Sequence, residues 1–212
     1  MTSRGMELAI AAAASLLFGC LTIVMLSGGM AGFDGAIRTE VHGFSAPWLT
    51  ACVEMVTLLG SLNVLALFGG IELVALVRAG RRGDAKFVVF VMAGAVILEN
   101  VVKLSIHRPR PPPFFGTDPT SFSFPSGHAL FSLCFYGSLA VILSRSGASR
   151  AVTWAVAVCL VCAIGTTRIY LGVHYPSDVV GGYLLAIAWL SAALVATAGR
   201  APPDLPVAST AV

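Results

Sequence analysis

The stretch LAIAAAASLLFGCLTIVML, residues 8–26, contains no charged side chain. A run of about 20 apolar residues is long enough to cross the hydrocarbon core of a bilayer as a helix. The whole 212-residue chain has the same character: 57% of its residues are hydrophobic, 11% are charged, and the mean hydropathy is +0.89. Soluble domains carry roughly 25% charged residues. The composition therefore excludes a soluble enzyme, a nucleic-acid-binding protein and a disordered linker, and it predicts a chain that folds in lipid.

Five further apolar runs are long enough to span a bilayer, which predicts an all-α bundle of six transmembrane helices. The predicted spans are residues 8–26, 55–77, 87–104, 125–143, 151–167 and 179–199. Arg4 gives the first run the basic start of a signal peptide, but its apolar part exceeds the usual length of roughly 7–15 residues, so we expect a retained anchor. Gly60 and Ser61 are expected to bend the second span. We predict one membrane domain over residues 1–200 and a disordered cytoplasmic tail over residues 201–212.

Residues 33–45 differ from the predicted spans, because charged residues alternate there with apolar residues at helical spacing. The apolar positions are Phe33, Ile37, Val41 and Phe44, and the charged positions are Asp34, Arg38 and Glu40. This pattern is typical of a short amphipathic helix that lies in the membrane interface.

The 13 basic residues divide unequally between the two ends of the predicted bundle. One end carries Arg4, Arg78, Arg81, Arg82, Lys86, Arg145, Arg150 and Arg200. The other end carries Arg38, Lys103, Arg108, Arg110 and Arg168. The positive-inside rule makes the first end cytoplasmic, so both termini are predicted on the cytoplasmic side of the inner membrane. All four histidines fall at the other, outer end, which indicates a functional site on the outer or periplasmic face.

Three polar segments meet at that outer end. Residues 103–111 read KLSIHRPRP, residues 124–128 read FPSGH, and residues 167–178 read TRIYLGVHYPSD. Any two of these segments are separated by an even number of predicted membrane crossings, so all three lie on the same side of the membrane. One aqueous pocket can therefore contain all three.

The side chains of these segments suit the transfer of a phosphoryl group. Lys103, Arg110 and Arg168 offer positive charge to oxygens over which a phosphoryl transition state spreads its negative charge. Arginine adds paired planar donors that match phosphate geometry. The amides of Ser126, Gly127 and His128, at the opening of the fourth span, would face outward as an anion site at a helix N-terminus.

The two histidines of these segments can divide the chemical work. An imidazole can attack phosphorus directly and form a covalent phosphohistidine. His174 is the better candidate, because Asp178 lies four residues later and can accept one ring N–H, which leaves the other ring nitrogen bare. His128 would then protonate the leaving oxygen as a general acid.

These segments resemble the signature of the type 2 phosphatidic acid phosphatase superfamily, also called lipid phosphate phosphatases. Its pattern is Lys, six residues, Arg-Pro; then Pro-Ser-Gly-His; then Ser-Arg, five residues, His, three residues, Asp. The matching positions here are Lys103, Arg110-Pro111, residues 125–128, Arg168, His174 and Asp178, and Thr167 stands where the family usually has Ser.

This resemblance implies a metal-independent phosphatase with a six-helix membrane fold and no cofactor. It implies that His174 is the nucleophile and His128 the acid, and that the three cations and the amides of Ser126 and Gly127 form the phosphate cradle. The spacing selects Arg110, so Arg108 is interpreted as a solvated loop charge or a headgroup contact. For Glu99, one turn before Lys103, an ion pair with that lysine and an interhelical hydrogen bond both stay open.

We therefore predict an enzyme that hydrolyses lipid phosphate or diphosphate esters at the outer leaflet, such as an isoprenyl diphosphate, phosphatidylglycerophosphate or phosphatidic acid. Its partners would be that lipid and the bilayer, with no nucleic acid and no metal. Two alternatives stay open. A phosphotransferase would pass the phosphoryl group to a lipid or sugar hydroxyl, and a transporter or anion-binding protein would use the basic cluster for binding alone.

Overall fold

The computed structural model describes residues 3–116 and 120–197, and all the regular secondary structure in these ranges is α-helical. The helices are α1 (Ser3–Leu26), α2 (Ala31–Gly43), α3 (Pro47–Leu58), α4 (Leu62–Arg78), α5 (Arg82–Ile106), α6 (Gly127–Arg145), α7 (Arg150–Tyr170) and α8 (Pro176–Thr197). The predicted all-α membrane bundle is confirmed. The predicted tail over residues 201–212 and the last residues of the sixth predicted span lie outside the described residues.

Five of the helices are long and apolar enough to cross a bilayer: α1, α5, α6, α7 and α8. The second predicted span is a bent pair, because α3 and α4 meet at an angle of 47° across residues 59–61. The break falls where Gly60 and Ser61 predict a bend. Ser61 caps α4, since its Oγ accepts a hydrogen bond from the amide of Val64. Counting the pair as one span gives the six crossings that the sequence predicts.

The core of the bundle lies around α6, which is the most deeply buried of the five long helices. Leu130, Cys134 and Phe135 on α6 pack with Val91 of α5 and Ala186 of α8. Burial of such a helix needs small residues at close helix crossings. At Gly182 of α8, a β-carbon would lie 2.7 Å from the carbonyl oxygen of Ser126. This close crossing ties the start of α6 to the start of α8.

The outermost long helix is α1, which packs against α8 and leaves its other face uncovered. Leu16 and Ile23 are both 69% exposed. Such exposure of large apolar side chains is what a surface in contact with lipid requires. The short helix α2 follows α1 and packs against α7 and α8, at the end of the bundle where α8 begins.

Candidate active site

The three polar segments meet at one end of the bundle. Lys103 lies in the last turn of α5, His128 in the first turn of α6, and Arg168 in the last turn of α7. His174 follows in the loop before α8, and Asp178 lies in the first turn of α8. The helix ends therefore bring to one place the side chains that the sequence predicts for the site.

The contact that decides the geometry joins Arg110 and His174. Arg110 Nη1 lies 3.0 Å from His174 Nε2, across 64 positions of sequence. On its other side, His174 Nδ1 lies 3.3 Å from Asp178 Oδ2. Because a guanidinium can only donate, this network assigns a bare Nε2 and a proton on Nδ1 that is donated to Asp178. The imidazole is held in the tautomer that an Nε2 nucleophile requires.

Burial also keeps the His174 ring in its neutral form. The residue is 2% exposed, and burial lowers its pKa from 6.5 to about 4. The hydrogen bond and the charge of Asp178 oppose this shift, while the charges of Arg110 and Arg168 add to it. With such a pKa the ring is uncharged at pH 7 and retains the lone pair that a nucleophile needs.

Arg110 is fixed by the loop around it. Its Nε donates to the carbonyl oxygen of Ser121 at 2.6 Å, and its Nη2 donates to the Ser121 hydroxyl at 2.9 Å. Nη1 donates to the carbonyl oxygen of Val173 at 2.7 Å, in addition to its contact with His174. A planar guanidinium can make these bonds at once, which lysine cannot. The loop thereby fixes a cation beside Nε2 of His174.

The start of α6 differs in part from the sequence prediction. The amide of Ser126 is not free, because it donates to the carbonyl oxygen of Asp178 at 3.0 Å. The Ser126 hydroxyl is fully buried and has no hydrogen-bond partner in the described part of the chain. The amide of Leu130 begins the hydrogen-bond ladder of the helix, so the amides of Gly127 and His128 precede it. The predicted role of the Ser126 amide in an anion site is therefore wrong, and the group of Ser126 that has no partner is its hydroxyl.

Lys103 is held by the carboxylate one turn before it. Its Nζ lies 2.7 Å from Glu99 Oε1, and both side chains are largely buried. This confirms the ion pair as the correct alternative for Glu99. The same carboxylate explains the glycine at position 127, since a β-carbon there would lie 2.5 Å from Glu99 Oε1.

The bend between α3 and α4 contributes to the site, which the sequence does not predict. A β-carbon on Gly60 would lie 3.2 Å from His128 Cδ2 and 2.3 Å from Ile164 Cγ2. Just before the bend, the hydroxyl of Thr57 accepts a hydrogen bond from Arg168 Nη1 at 2.7 Å. The broken span therefore supports both the proposed acid and one of the three cations.

The interpretation of Arg108 as a solvated charge is wrong. Its side chain is 15% exposed and forms two ion pairs, with Asp178 Oδ1 at 2.5 Å and with Asp34 Oδ2 at 2.8 Å. Ser123 is a second residue that sequence reasoning missed, since its hydroxyl donates to Asp178 Oδ2 at 2.5 Å. Neither residue carries a spacing signal that separates it from ordinary loop residues.

The remaining candidate groups lie together near the histidines. The charges of Arg168, Arg110 and Lys103 and the ring of His174 are close enough to His128 to act on it electrostatically. Within residues 3–116 and 120–197, no three His, Cys, Asp or Glu side chains are grouped so that they could hold a metal ion. An apolar cleft of about 450 Å³ between α1, α6, α7 and α8 lies apart from these residues.

Comparison with known proteins identifies the class to which this helical membrane fold belongs, which is that of the membrane phosphatases. The PAP2 superfamily matches residues 84–201, which is more than half of the chain. The protein belongs to the PAP2 superfamily, as the resemblance of its motifs predicts. The matched region contains Lys103, His128, His174 and Asp178.

Individual relatives are phosphatases of membrane lipids. Phosphatidylglycerophosphatase B of Bacillus subtilis (strain 168) is 28% identical over 181 residues, which are 81% of this chain and 87% of that protein. Undecaprenyl-diphosphatase of Sulfolobus acidocaldarius is 32% identical over 46% of this chain, and lipid A 1-phosphatase of Rhizobium johnstonii is 33% identical over 50% of it. These two matches cover 47% and 44% of the respective relatives.

Two solved structures share the fold. The crystal structure of a transmembrane PAP2 type phosphatidylglycerolphosphate phosphatase from Bacillus subtilis superposes with a TM-score of 0.85 at 25% identity, over 91% of this chain and 98% of that one. LpxE of Aquifex aeolicus superposes with a TM-score of 0.61 at 23% identity, over 76% of this chain and 94% of that one. The arrangement of helices is therefore that of a known group of membrane phosphatases.

Proposed function

We propose that this protein hydrolyses lipid phosphate or diphosphate esters through a phosphohistidine formed on Nε2 of His174. The observation that carries the proposal is the placement of that nitrogen, 3.0 Å from Arg110 Nη1, in a ring whose other nitrogen faces Asp178. A nucleophile, the carboxylate that orients it and a cation for the phosphoryl oxygens are thus adjacent. A phosphate-binding site alone would need the cation but not the oriented imidazole.

In the first step, the lone pair of Nε2 forms a bond to phosphorus while the bond from phosphorus to the leaving oxygen breaks. His128 gives its proton to that oxygen. Arg110, Lys103 and Arg168 stabilise the charge on the phosphoryl oxygens. The entering phosphoryl group accepts a hydrogen bond from Nη1 of Arg110, the donor that faces Nε2 of His174 in the structure.

In the second step, water attacks the phosphohistidine. A bond forms from the water oxygen to phosphorus, the bond between phosphorus and nitrogen breaks, and the now neutral His128 accepts a proton from the water. Both residues return to their starting state. The three cations supply the positive charge in both steps, so we propose that no metal ion takes part.

We propose that the substrate is a lipid whose tail stays in the bilayer while its headgroup enters the site. The substrates named for the relatives, phosphatidylglycerophosphate and undecaprenyl diphosphate, have this form, as does phosphatidic acid. The opposite end of the bundle carries most of the basic residues, so the positive-inside rule directs the site to the outer face of the cytoplasmic membrane and both termini to the cytoplasm.

The test is phosphate release from these three lipids by the purified protein in EDTA. We expect release from at least one lipid, and a loss of roughly 10³-fold or more in His174→Ala. His107→Asn is the matched control, because His107 lies at the same end of the bundle, is exposed, and adopts a left-handed conformation that asparagine tolerates. Activity that needs Mg²⁺, or that survives in His174→Ala, would contradict the proposal. Recovery of the phosphoryl group on an added alcohol instead of water would indicate a phosphotransferase.

A further inference from the structure

The helix α2 reaches the candidate active site through a single carboxylate. Asp34 lies in the first turn of α2 and is 1% exposed, although its helix is otherwise mostly uncovered. Its Oδ1 accepts a hydrogen bond from the amide of Ser177 at 2.9 Å, and its Oδ2 accepts one from the Ser177 hydroxyl at 2.7 Å. Ser177 is the second residue of α8. Asp34 therefore caps the N-terminus of α8 from a different helix.

A cap of this kind is electrostatically favourable. The first amides of a helix have no partner within the helix, and they carry the positive end of its dipole. Capping carboxylates normally come from the residue just before the helix. Here the preceding residue is Tyr175, which has no carboxylate, and Asp34 approaches from 143 positions earlier in the chain.

Arg108 connects this cap to Asp178, the carboxylate that faces His174. Its Nη2 donates to Asp34 Oδ2 at 2.8 Å, while its Nη1 donates to Asp178 Oδ1 at 2.5 Å and to the Ser177 hydroxyl at 2.8 Å. The guanidinium also lies over the ring of Tyr175, 4.1 Å from its centre. One planar cation thus joins two buried carboxylates and a hydroxyl.

Both carboxylate oxygens of Asp178 are held by hydrogen bonds. Its Oδ1 is held by Arg108, and its Oδ2 accepts hydrogen bonds from the Ser123 hydroxyl and from the amide of Tyr175, besides facing His174. A carboxylate that is fully buried needs such compensation, because an unpaired charge is strongly unfavourable there. Among these partners, Arg108 is the one that donates to Oδ1 and also reaches Asp34.

We propose that Asp34 and Arg108 are positioning residues of the phosphatase, which fix Asp178 and thereby orient the His174 ring for attack. The amphipathic helix α2 is then a part of the catalytic machinery as well as a membrane-surface element. This inference rests on the proposed function of His174. Neither residue is assigned a contact with the substrate.

Positioning predicts a characteristic change in kinetics. A misoriented nucleophile slows the chemical step without weakening ground-state binding. We expect Asp34→Asn and Arg108→Lys each to lower kcat by roughly 10- to 100-fold, as loss of an orienting partner commonly does, with KM unchanged. Inhibition by vanadate, which mimics the transition state, should weaken in proportion to kcat, whereas inhibition by inorganic phosphate should not. The double variant should be no worse than the poorer single variant, because both act through one contact chain.

Asp84→Asn is the matched control. Like Asp34, Asp84 forms an ion pair with an arginine, which is Arg81. Asp84 is 20% exposed and lies at the opposite end of the bundle. This variant should retain wild-type kcat and vanadate affinity. Because Asp84 lies far from the candidate site, any loss of activity in this variant measures the effect of lower stability alone.

The proposal is overturned if folded Asp34→Asn or Arg108→Lys keeps wild-type kcat, or if phosphate inhibition weakens in step with kcat, which would make the pair a substrate-binding group. If Asp34→Asn does not fold, the variant Ser177→Ala can be used, because it removes only the hydroxyl that Asp34 and Arg108 share. A several-fold lower kcat at constant KM in this variant supports the proposal, and an unchanged kcat overturns it. An active wild type with an inactive His174→Ala keeps the proposed function in either event, whereas an active His174→Ala removes that function itself.

Discussion

The two ends of the helix bundle both carry clusters of charge, but they hold them in different ways. Around the start of α5, Arg81 and Arg145 pair with Asp84, and their side chains are 31% and 49% exposed. At the other end, Asp34 and Asp178 are almost completely buried and share one arginine. The first cluster is solvated, and the second is enclosed by protein.

The difference indicates what each cluster is for. Exposed ion pairs contribute about 0–1 kcal/mol to stability, so the first cluster should contribute little to the stability of the fold. Buried ion pairs gain little over apolar packing, yet breaking one leaves an unpaired charge. Stability alone therefore does not explain why several charges are kept buried at one end, and a catalytic use of that end, as proposed above, supplies a reason. Substitutions of equal size should have very unequal effects at the two ends.

Among substitutions of the three cations, the largest loss of activity is expected at Arg110. Arg110→Ala should lower kcat/KM by roughly 10²- to 10³-fold, the range seen when one donor to a developing charge is removed. Arg110→Lys should recover little of this loss, because one ammonium group cannot bond to Ser121, Val173 and the phosphoryl group together. Steady-state phosphate release measures both variants. A lysine variant with wild-type activity would show that charge alone is needed, and would contradict the geometric argument.

A smaller effect is expected where the broken span touches the site. Gly60→Ala places a methyl group 2.3 Å from Ile164 and 3.2 Å from the His128 ring, so either the bend or the ring must move. We expect kcat to fall by about tenfold, as displacement of a catalytic group by a fraction of an ångström suggests.

Gly70→Ala provides the control for this change. Gly70 lies on the same helix pair, and an added β-carbon would meet no atom within 4 Å. This variant should keep wild-type activity and gain up to about 1 kcal/mol in stability from helix propensity. Equal activities for the two alanine variants would disprove the contact between the bend and His128.

The smallest effect is expected at the solvated end. Asp84→Asn removes both ion pairs of that carboxylate, and should lower the free energy of unfolding by at most about 1 kcal/mol, because the partners stay partly hydrated. Thermal denaturation in detergent at low and high salt measures this change, which salt should diminish. A larger loss that salt does not alter would mean that this end is not solvated, and the contrast between the two ends would fail.

The sequence predicts the number of membrane spans, although the second one begins at Pro47, ahead of the predicted residue 55. Apolar run length identifies the spans because a helix in lipid must satisfy its own backbone. Motif spacing indicates Lys103, Arg110, His128, Arg168, His174 and Asp178, and the structure brings these residues to one end of the bundle. The bend at residues 59–61 follows from glycine and serine in an apolar run.

The supporting residues could not be predicted, for physical reasons that differ from case to case. Asp34 lies on the polar side of an amphipathic helix, where solvation is the ordinary expectation, and only tertiary packing places it against α8. Arg108 has the same local sequence as Arg110, an arginine before proline, so composition cannot separate their roles. Thr57 and Ser123 are single hydroxyl residues, whose partners are set by the packing of distant segments.

The most direct test of the account is to trap the phosphorylated enzyme. The experiment uses His128→Ala and an aryl phosphate labelled on phosphorus. An aryl phosphate has a good leaving group, so the first step needs no general acid, whereas the attack of water in the second step lacks its general base and the phosphorylated enzyme accumulates. The account predicts a protein-bound label that is stable in alkali and lost in acid, as expected for a phosphorus–nitrogen bond, on the peptide that contains residue 174. No label, or a label on another residue, would contradict it.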